Sequence, residues 1–205
     1  GGDLSTDEIG KGLKEALNVG VGKATDFLSA ENGYLNSQYK ILLPEEAQKV
    51  IKKVKRVPGF ENADEKMTKL LNEAAEKAAT KAKPIFVSAI KQLTIKDAMN
   101  ILMGEKNAAT QYLDKTTRKQ LFKEFMPVVQ QSLDEVNART YWTKIAKAYN
   151  KISFGKKVNT ELDQHVTEKA LDGMFSLVEV KELDIRKNKS ARSSDLLTKV
   201  FAKQE

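Results

Sequence analysis

The sequence predicts an all-α protein, with about nine helices and short connections forming a single irregular orthogonal bundle. Apolar residues recur at helical spacing over almost the whole chain, and strand-like alternation is confined to a short piece near residues 39–43. The pattern of a capped helix start, in which an acidic residue follows Ser or Thr by three positions, occurs at Ser5 and at Thr94. A chain of 205 residues can also bury a core that needs neither disulfides nor a metal.

The first predicted helix begins at Ser5, with Glu8 in the capping-box position, and ends near Ser29. Its apolar face contains a stripe of small residues, formed by Ala16, Gly20 and Ala24. A glycine inside a helix costs up to about 1 kcal/mol relative to alanine. The stripe therefore predicts that another helix approaches closely at this face.

Three more helices follow a turn at Asn32-Gly33, and they span about 44–57, 62–82 and 84–93. Pro44 suits the first turn of the first of these helices, and Pro58-Gly59 ends it. Pro84 interrupts the apolar repeat that follows, so the helical pattern is expected to stop there and resume.

The segment 94–113 combines two helix starts with one helix stop. Thr94, with Asp97 in the capping-box position, begins a helix that Gly104 ends. Asn107, together with Thr110, is predicted to cap the next short helix.

The remaining chain predicts four helices. Thr116 or Thr117 is expected to cap the first, in which Pro127 predicts a kink or a break. The second carries an apolar face from Tyr141 to Ile152, with lysines on the opposite face. After a loop near Gly155, a long helix is predicted over about 160–185, and Ser194 caps a short final helix.

The composition excludes several kinds of chemistry. The chain has no cysteine, which rules out disulfides, thiolate metal sites and a cysteine nucleophile. It has one histidine, His165, so a histidine general base could only be that residue. Its spacing to Glu161 and Glu168 would suit a metal, but the apolar face of that helix lies elsewhere. A solvated face is the preferred interpretation, and we predict no metal, no cofactor and no catalytic residue.

The net charge of +7 favours contact with anionic partners. The two densest basic runs are Lys49, Lys52, Lys53, Lys55 and Arg56, and Arg186, Lys187, Lys189 and Arg192. Neither run contains an aromatic residue on which a base could stack, which argues against a nucleic-acid partner. Both runs lie at helix C-termini, where cations complement the dipole, so a plain solvated surface is the main alternative to polyanion or membrane contact.

Five polar residues of the segment 94–116 are the candidate ligand-binding residues, namely Gln111, Tyr112, Thr116, Thr110 and Asp97. They fall close together in sequence around apolar positions, as the lining of a groove between helices would. Helix capping alone would account for Asp97 and Thr110. The functional interpretation therefore depends mainly on Gln111, Tyr112 and Thr116.

Several stretches resemble a family of uncharacterised bacterial proteins that is known only as a domain of unknown function. The similar positions are 12–17, 74–78, 94–98, 101, 102, 104, 108–112, 125–127, 170–173, 175, 191, 192, 195–197 and 201. The resemblance covers nearly the whole chain. It implies an all-helical domain behind an export signal, often a lipoprotein signal, in Gram-negative bacteria, and it implies no activity.

These observations lead to three hypotheses for the function. The first is a non-catalytic, exported domain of the periplasm or cell envelope that binds a protein partner or an apolar ligand. The second is an enzyme of unknown type that uses Asp97, Glu124 or Tyr112. The third is a weak polyanion or membrane-surface binder.

The domain boundaries follow from the same observations. We expect residues 1–4 to be a disordered terminus with a tag remnant at Gly1, and residues 5–205 to form one domain. The resemblance adds the possibility of peripheral membrane association through a removed, lipid-anchored leader.

Overall fold

The computed structural model describes residues 4–152, 162–188, 192 and 194–205. Within these residues it contains nine helices and no strand, which confirms the all-α prediction. The helices are α1 Thr6–Ser29, α2 Glu45–Val54, α3 Ala63–Ala79, α4 Ala82–Lys91, α5 Ile95–Leu102, α6 Ala108–Glu135, α7 Ala138–Ile152, α8 Leu162–Lys187 and α9 Asp195–Ala202. The loop predicted near Gly155 and the helix start predicted near Thr160 lie outside the described residues.

The chain forms two compact units. Unit 1 comprises Gly1–Phe27, Lys81–Leu121 and Leu171–Glu205, and unit 2 comprises Leu28–Thr80 and Phe122–Ala170. Unit 1 therefore contains α4, α5, α9 and most of α1, and unit 2 contains α2, α3 and α7. The prediction of a single domain stays a prediction.

Unit 1 has an aromatic pair at the centre of its core. The rings of Phe86 on α4 and Phe175 on α8 meet edge to face, with centroids 5.7 Å apart and an interplanar angle of 81°. Phe86 is fully buried, as are Leu102 on α5 and Leu113 on α6. The apolar repeats that predicted these helices therefore mark faces that are buried in the structure.

Among the glycines of α1, Gly12 has the closest neighbours in unit 1. A Cβ atom at this position would lie 2.4 Å from Cγ2 of Val200 on α9, closer than two carbon atoms can come. At Gly20, by contrast, a Cβ atom would be 3.6 Å from Cβ of Lys181, an ordinary contact. The small-residue face of α1 is buried as predicted, but the position that requires glycine lies two turns before Gly20.

Adding one methyl group at Gly12 should therefore destabilise the protein. We expect Gly12→Ala to lower the free energy of unfolding by about 1–3 kcal/mol, because Val200 must move. Gly10 is the matched control, since no atom lies within 4 Å of a Cβ built there. Gly10→Ala should be neutral or stabilising by up to about 1 kcal/mol through helix propensity. Urea denaturation measures both, and equal stabilisation by the two substitutions would contradict the close approach.

Unit 2 is organised around α3, which holds the connector 30–43 through two buried polar side chains. Asn72 pairs with both backbone groups of Ile41, accepting from its N–H at 2.8 Å and donating to its carbonyl oxygen at 2.9 Å. One turn further along α3, Glu76 accepts the backbone N–H groups of Asn32, Tyr34 and Leu35 at 3.1–3.2 Å. The connector is thereby fixed without forming a helix of its own.

The side chain of Tyr34 anchors the same connector from inside unit 2. It is fully buried, and its hydroxyl donates to the carbonyl oxygen of Ala170 at 2.7 Å. Burial raises the pKa of Tyr34, and the charge of nearby Glu76 raises it further. The phenol therefore stays neutral and acts as a hydrogen-bond donor.

The prediction that Thr116 or Thr117 caps a helix is wrong, and of the kink or break predicted at Pro127, the break does not occur. The helix runs without interruption past Thr116, Thr117 and Pro127, so neither threonine starts a helix and the proline does not break one. Both threonine hydroxyls donate to the carbonyl oxygen four residues earlier, which is how Thr bonds inside a helix. Pro127 is exposed, so water can satisfy the carbonyl group that its missing N–H leaves free.

The proline at position 84 also has a different role from the one predicted. It lies at the third residue of α4, inside the first turn, where no N–H donor is needed within the helix. The helical pattern is broken earlier, at Thr80, which follows the last residue of α3. Pro84 therefore marks a helix start and not an interruption.

Candidate functional site

The candidate residues lie around the junction between α5 and α6 in unit 1. At the start of α5, the hydroxyl of Thr94 accepts the N–H of Asp97 at 3.0 Å, and the carboxylate of Asp97 accepts the N–H of Thr94 at 3.4 Å. This reciprocal pair confirms the predicted capping box. The carboxylate of Asp97 thus has a structural role.

The start of α6 is capped by a residue that the sequence did not indicate. Glu182 on α8 accepts the backbone N–H groups of Ala109 and Thr110, at 2.9 and 2.8 Å, and the Thr110 hydroxyl at 2.8 Å. Asn107, the predicted cap, instead accepts from the side-chain amide of Gln111 at 2.9 Å. A carboxylate more than 70 positions away supplies the negative charge that a helix N-terminus favours.

The end of α5 is held by the other half of the same cluster. Arg186 on α8 donates to the carbonyl oxygens of Ile101 and Leu102, at 2.7 and 3.0 Å, and to Glu182 at 3.0 Å. The side chains of Arg186 and Glu182 are only 4% and 5% exposed. We call this pair the junction clamp, because it binds the end of α5 and the start of α6 together.

The two arginines of the second basic run have structural roles. Both Arg186 and Arg192 are buried. Arg192 donates to the carbonyl oxygens of Ile185 and Arg186, at 2.9 and 3.0 Å, and pairs with Glu205 at 2.7 Å. Arginine at a helix C-terminus satisfies free carbonyl groups, and that role accounts for both residues. Lys189 of this run lies outside the described residues.

The other predicted site residues lie on the exposed or half-buried side of α6. Gln111 and Thr116 are exposed, and Thr116 donates to the carbonyl oxygen of Tyr112 at 2.8 Å. Tyr112 is half-buried, and burial, followed by the charge of Asp97, raises the pKa of its phenol. Of the five candidate residues, Asp97, Tyr112 and Thr116 do not line the groove that contains Thr110 and Gln111.

Two of the five residues, Thr110 and Gln111, do line an open groove of about 310 Å³ between α6 and α8. Arg118 links two acidic residues of this groove, forming ion pairs with Asp114 at 2.7 Å and with Asp172 at 3.0 Å. Its guanidinium also lies 5.0 Å from the centroid of the Phe175 ring. Hydrogen bonds with Asp114, and then with Asp172, raise the pKa of Arg118. The single cation of the groove is therefore already paired with two carboxylates.

A second groove, in unit 2, has a more apolar floor and was not predicted. We call it the α2–α3 groove. Its volume is about 320 Å³, and it is lined by Leu42, Leu43, Gln48, Ile51, Lys52, Lys55, Asp64 and Thr68. The buried side chains of Leu43 and Ile51 contribute to its lining, and Leu42, 59% exposed, lies at its edge.

Charge is distributed unevenly at the rim of the α2–α3 groove. Lys55 is engaged by Asp64, with Nζ 3.1 Å from Oδ2. Lys52 forms no ion pair with any residue that the structure describes. The groove therefore combines three aliphatic side chains with one ammonium group that is open to an incoming anion. Two features of the sequence could have indicated this groove. They are the apolar pair Leu42-Leu43 before Pro44 and the lysines of α2 that follow it.

His165 also belongs to unit 2, and it is less solvated than predicted. It is half-buried, and its Nε2 lies 2.7 Å from the carbonyl oxygen of Leu42. Because a carbonyl oxygen only accepts, this hydrogen bond requires the proton on Nε2. Glu161, its proposed metal-binding neighbour, lies outside the described residues, and the described residues contain no group of three potential ligands placed to hold a metal.

The fold and the two grooves define an all-α protein with a buried junction clamp and an aliphatic, lysine-rimmed groove. A family model described as "Protein of unknown function (DUF4197)" matches residues 3–202, and the chain belongs to that family. The resemblance to a domain of unknown function is thereby confirmed. No curated protein and no solved structure matches the chain. Among the described helices, none has the length and hydropathy needed to cross a membrane.

Proposed function

We propose that this protein is a non-catalytic binding domain of the bacterial cell envelope, and that the α2–α3 groove binds the aliphatic chain of an anionic amphiphile such as a fatty acid. The observation that carries the proposal is the exposed Leu42, which lies beside the buried Leu43 and Ile51 at the edge of a defined groove. Small-molecule sites combine apolar linings with a few polar groups that fix orientation.

The charges at the rim select the polar end of the ligand. Lys52 offers an ammonium group that no described residue neutralises, whereas Lys55 is already paired with Asp64. A carboxylate or phosphate head group would bind Lys52 through a charge-assisted hydrogen bond. Its aliphatic chain would cover Leu42 and remove that side chain from water.

The location in the envelope is supported by the resemblance alone, because the family it indicates carries export signals. An envelope protein meets amphiphiles at the membrane surfaces on either side of it. The groove, with a volume of about 320 Å³, is large enough to hold an aliphatic chain.

Binding of dodecanoate, measured by isothermal titration calorimetry, tests this proposal. We expect saturable binding that Leu42→Asp weakens roughly ten- to hundredfold, since the substitution removes apolar contact and adds a repulsive charge. Leu42 is exposed, so the fold should tolerate the change. Val87→Asp is the matched control, because Val87 is 39% exposed on α4 of unit 1, and it should leave binding unchanged. The absence of saturable binding, or equal losses in the two variants, would refute the proposal.

A further inference from the structure

Two helices of unit 2 are rich in basic residues. Residues 45–56, which contain α2, hold five basic and two acidic residues, and α7 holds four basic residues and no acidic residue. Nine basic and two acidic residues give these two segments a net charge equal to the +7 of the entire chain. Unit 2 as a whole holds 17 basic and 14 acidic residues, a net charge of +3, so its positive charge is local to these two segments.

The cations of both helices lie on their solvent-facing sides. The buried faces of α2 and α7 are apolar, with Val50, Ile51 and Val54 on α2 and Ile145 on α7. The basic residues opposite these faces are all exposed, and seven of them form no ion pair with any residue that the structure describes. They are Lys49, Lys52, Lys53, Arg56, Lys144, Lys147 and Lys151. We call these seven residues the basic surface.

The two helices are neighbours, so the basic surface belongs to one part of unit 2. Helix α2 packs directly against α7. Lys53 crosses the seam between them, with its Nζ 5.8 Å from the centroid of the Tyr149 ring. Like charges concentrated in this way repel one another, and an anionic surface would relieve that repulsion.

We propose that unit 2 docks on an anionic phospholipid bilayer through the basic surface. The positive charge of the basic surface favours an anionic partner. The exposed aliphatic side chains near this surface favour a lipid bilayer as that partner. Ile152 at the end of α7 and Leu42 before α2 are 46% and 59% exposed, and both are aliphatic. Basic side chains with exposed aliphatic residues nearby suit the head-group region of a membrane.

A nucleic acid fits this surface less well, because it would need exposed aromatic rings for stacking. Trp142 and Tyr149 on α7 are both 8% exposed, which places their rings in the core. The half-buried ring of Tyr141 is covered by Lys66, whose Nζ lies 4.2 Å from its centroid. The aromatic residues of α7 are thus engaged within unit 2.

Cosedimentation of the full chain with vesicles tests the docking surface. The probe is equimolar phosphatidylglycerol and phosphatidylcholine, with pure phosphatidylcholine for comparison. One triple variant, Lys144→Gln with Lys147→Gln and Lys151→Gln, neutralises α7. A second, Lys49→Gln with Lys53→Gln and Arg56→Gln, neutralises α2. The matched control neutralises three exposed lysines of unit 1, Lys96→Gln with Lys106→Gln and Lys119→Gln.

We expect the wild type to bind the anionic vesicles at low salt and to lose most of that binding at high salt. Each basic residue near an anionic membrane strengthens partitioning about fivefold, so each triple variant should bind on the order of a hundredfold more weakly. The control should bind like the wild type, and circular dichroism should show equal helix content in all variants.

Three results would overturn the proposal. They are equal binding to pure phosphatidylcholine, equal losses in the control and the two triple variants, or tighter binding to a DNA duplex than to the vesicles. The inference can be tested apart from the ligand proposed for the α2–α3 groove, although Leu42 and Lys52 belong to both. The α7 triple variant leaves all groove residues intact, so it should lose vesicle binding and still bind dodecanoate.

Discussion

Replacing Glu182 with alanine should destabilise the protein by about 3–5 kcal/mol, because it leaves Arg186 as a buried, unpaired cation. Glu182 is 5% exposed and accepts three hydrogen bonds from Ala109 and Thr110 in addition to its ion pair. All of these donors lose their partner at once. A domain of this size is stable by only about 5–15 kcal/mol, so the change should be evident in urea denaturation.

The matched control for this prediction is Asp184→Ala. Asp184 is an exposed acidic residue two positions along the same helix, and it lies outside the junction clamp. Its replacement should change the free energy of unfolding by no more than about 0.5 kcal/mol. If Glu182→Ala were as mild as Asp184→Ala, the junction clamp would not exist in solution.

A double substitution separates the charge of the clamp from its capping role. Glu182→Ala combined with Arg186→Met removes both buried charges, so it should be less destabilising than the sum of the two single substitutions by about 1–3 kcal/mol. The N–H groups at the start of α6 remain without their acceptor in the double variant. Whatever destabilisation persists therefore measures the hydrogen bonds that Glu182 accepts and those that Arg186 donates to α5.

The sequence predicted the helix ends that depend on residues close together in the chain. The capping boxes at Ser5 and Thr94 each use a partner three residues on, and both form in the structure. The junction clamp could not be found in this way, because Glu182 and Thr110 are separated by 72 positions. Arg186 was even assigned to a basic surface run, since sequence alone does not distinguish a buried arginine from a solvated one.

The errors within α6 have a related cause. Thr116, Thr117 and Pro127 favour helix ends when only the local chain is considered. Buried residues on both sides of each position, including Leu113, Leu121 and Val129, supply packing that overrides these local preferences. The α2–α3 groove was missed for a similar reason. It forms where the connector, α2 and α3 meet, and the connector's position depends on buried polar contacts with α3.

Those contacts lead to the second large effect, which concerns Glu76. Replacing Glu76 with alanine removes the acceptor for three backbone N–H groups, those of Asn32, Tyr34 and Leu35. A buried donor without a partner costs about 1–3 kcal/mol. Because an open cavity of about 430 Å³ beside Glu76 lets water reach part of the site, we expect a total loss of about 2–4 kcal/mol.

The control for Glu76 lies on the same helix. Glu73 lines the same cavity but is only half-buried, and its carboxylate is 4.0 Å from Lys77. Such an exposed pair contributes at most about 1 kcal/mol, so Glu73→Ala should be nearly neutral. Thermal denaturation of the two variants would show whether burial and hydrogen bonding, and not charge alone, determine the effect.

The loss of stability in Glu76→Ala should first appear as local opening of the connector, without unfolding of the whole unit. With Glu76 removed, Asn72 still holds Ile41, so the first part of the connector should open while its end stays attached. Hydrogen exchange should therefore accelerate at the amides of Asn32, Tyr34 and Leu35 more than at that of Ile41. Equal acceleration at all four amides would instead indicate that the connector unfolds only together with α3, and that Glu76 acts on the stability of the whole unit.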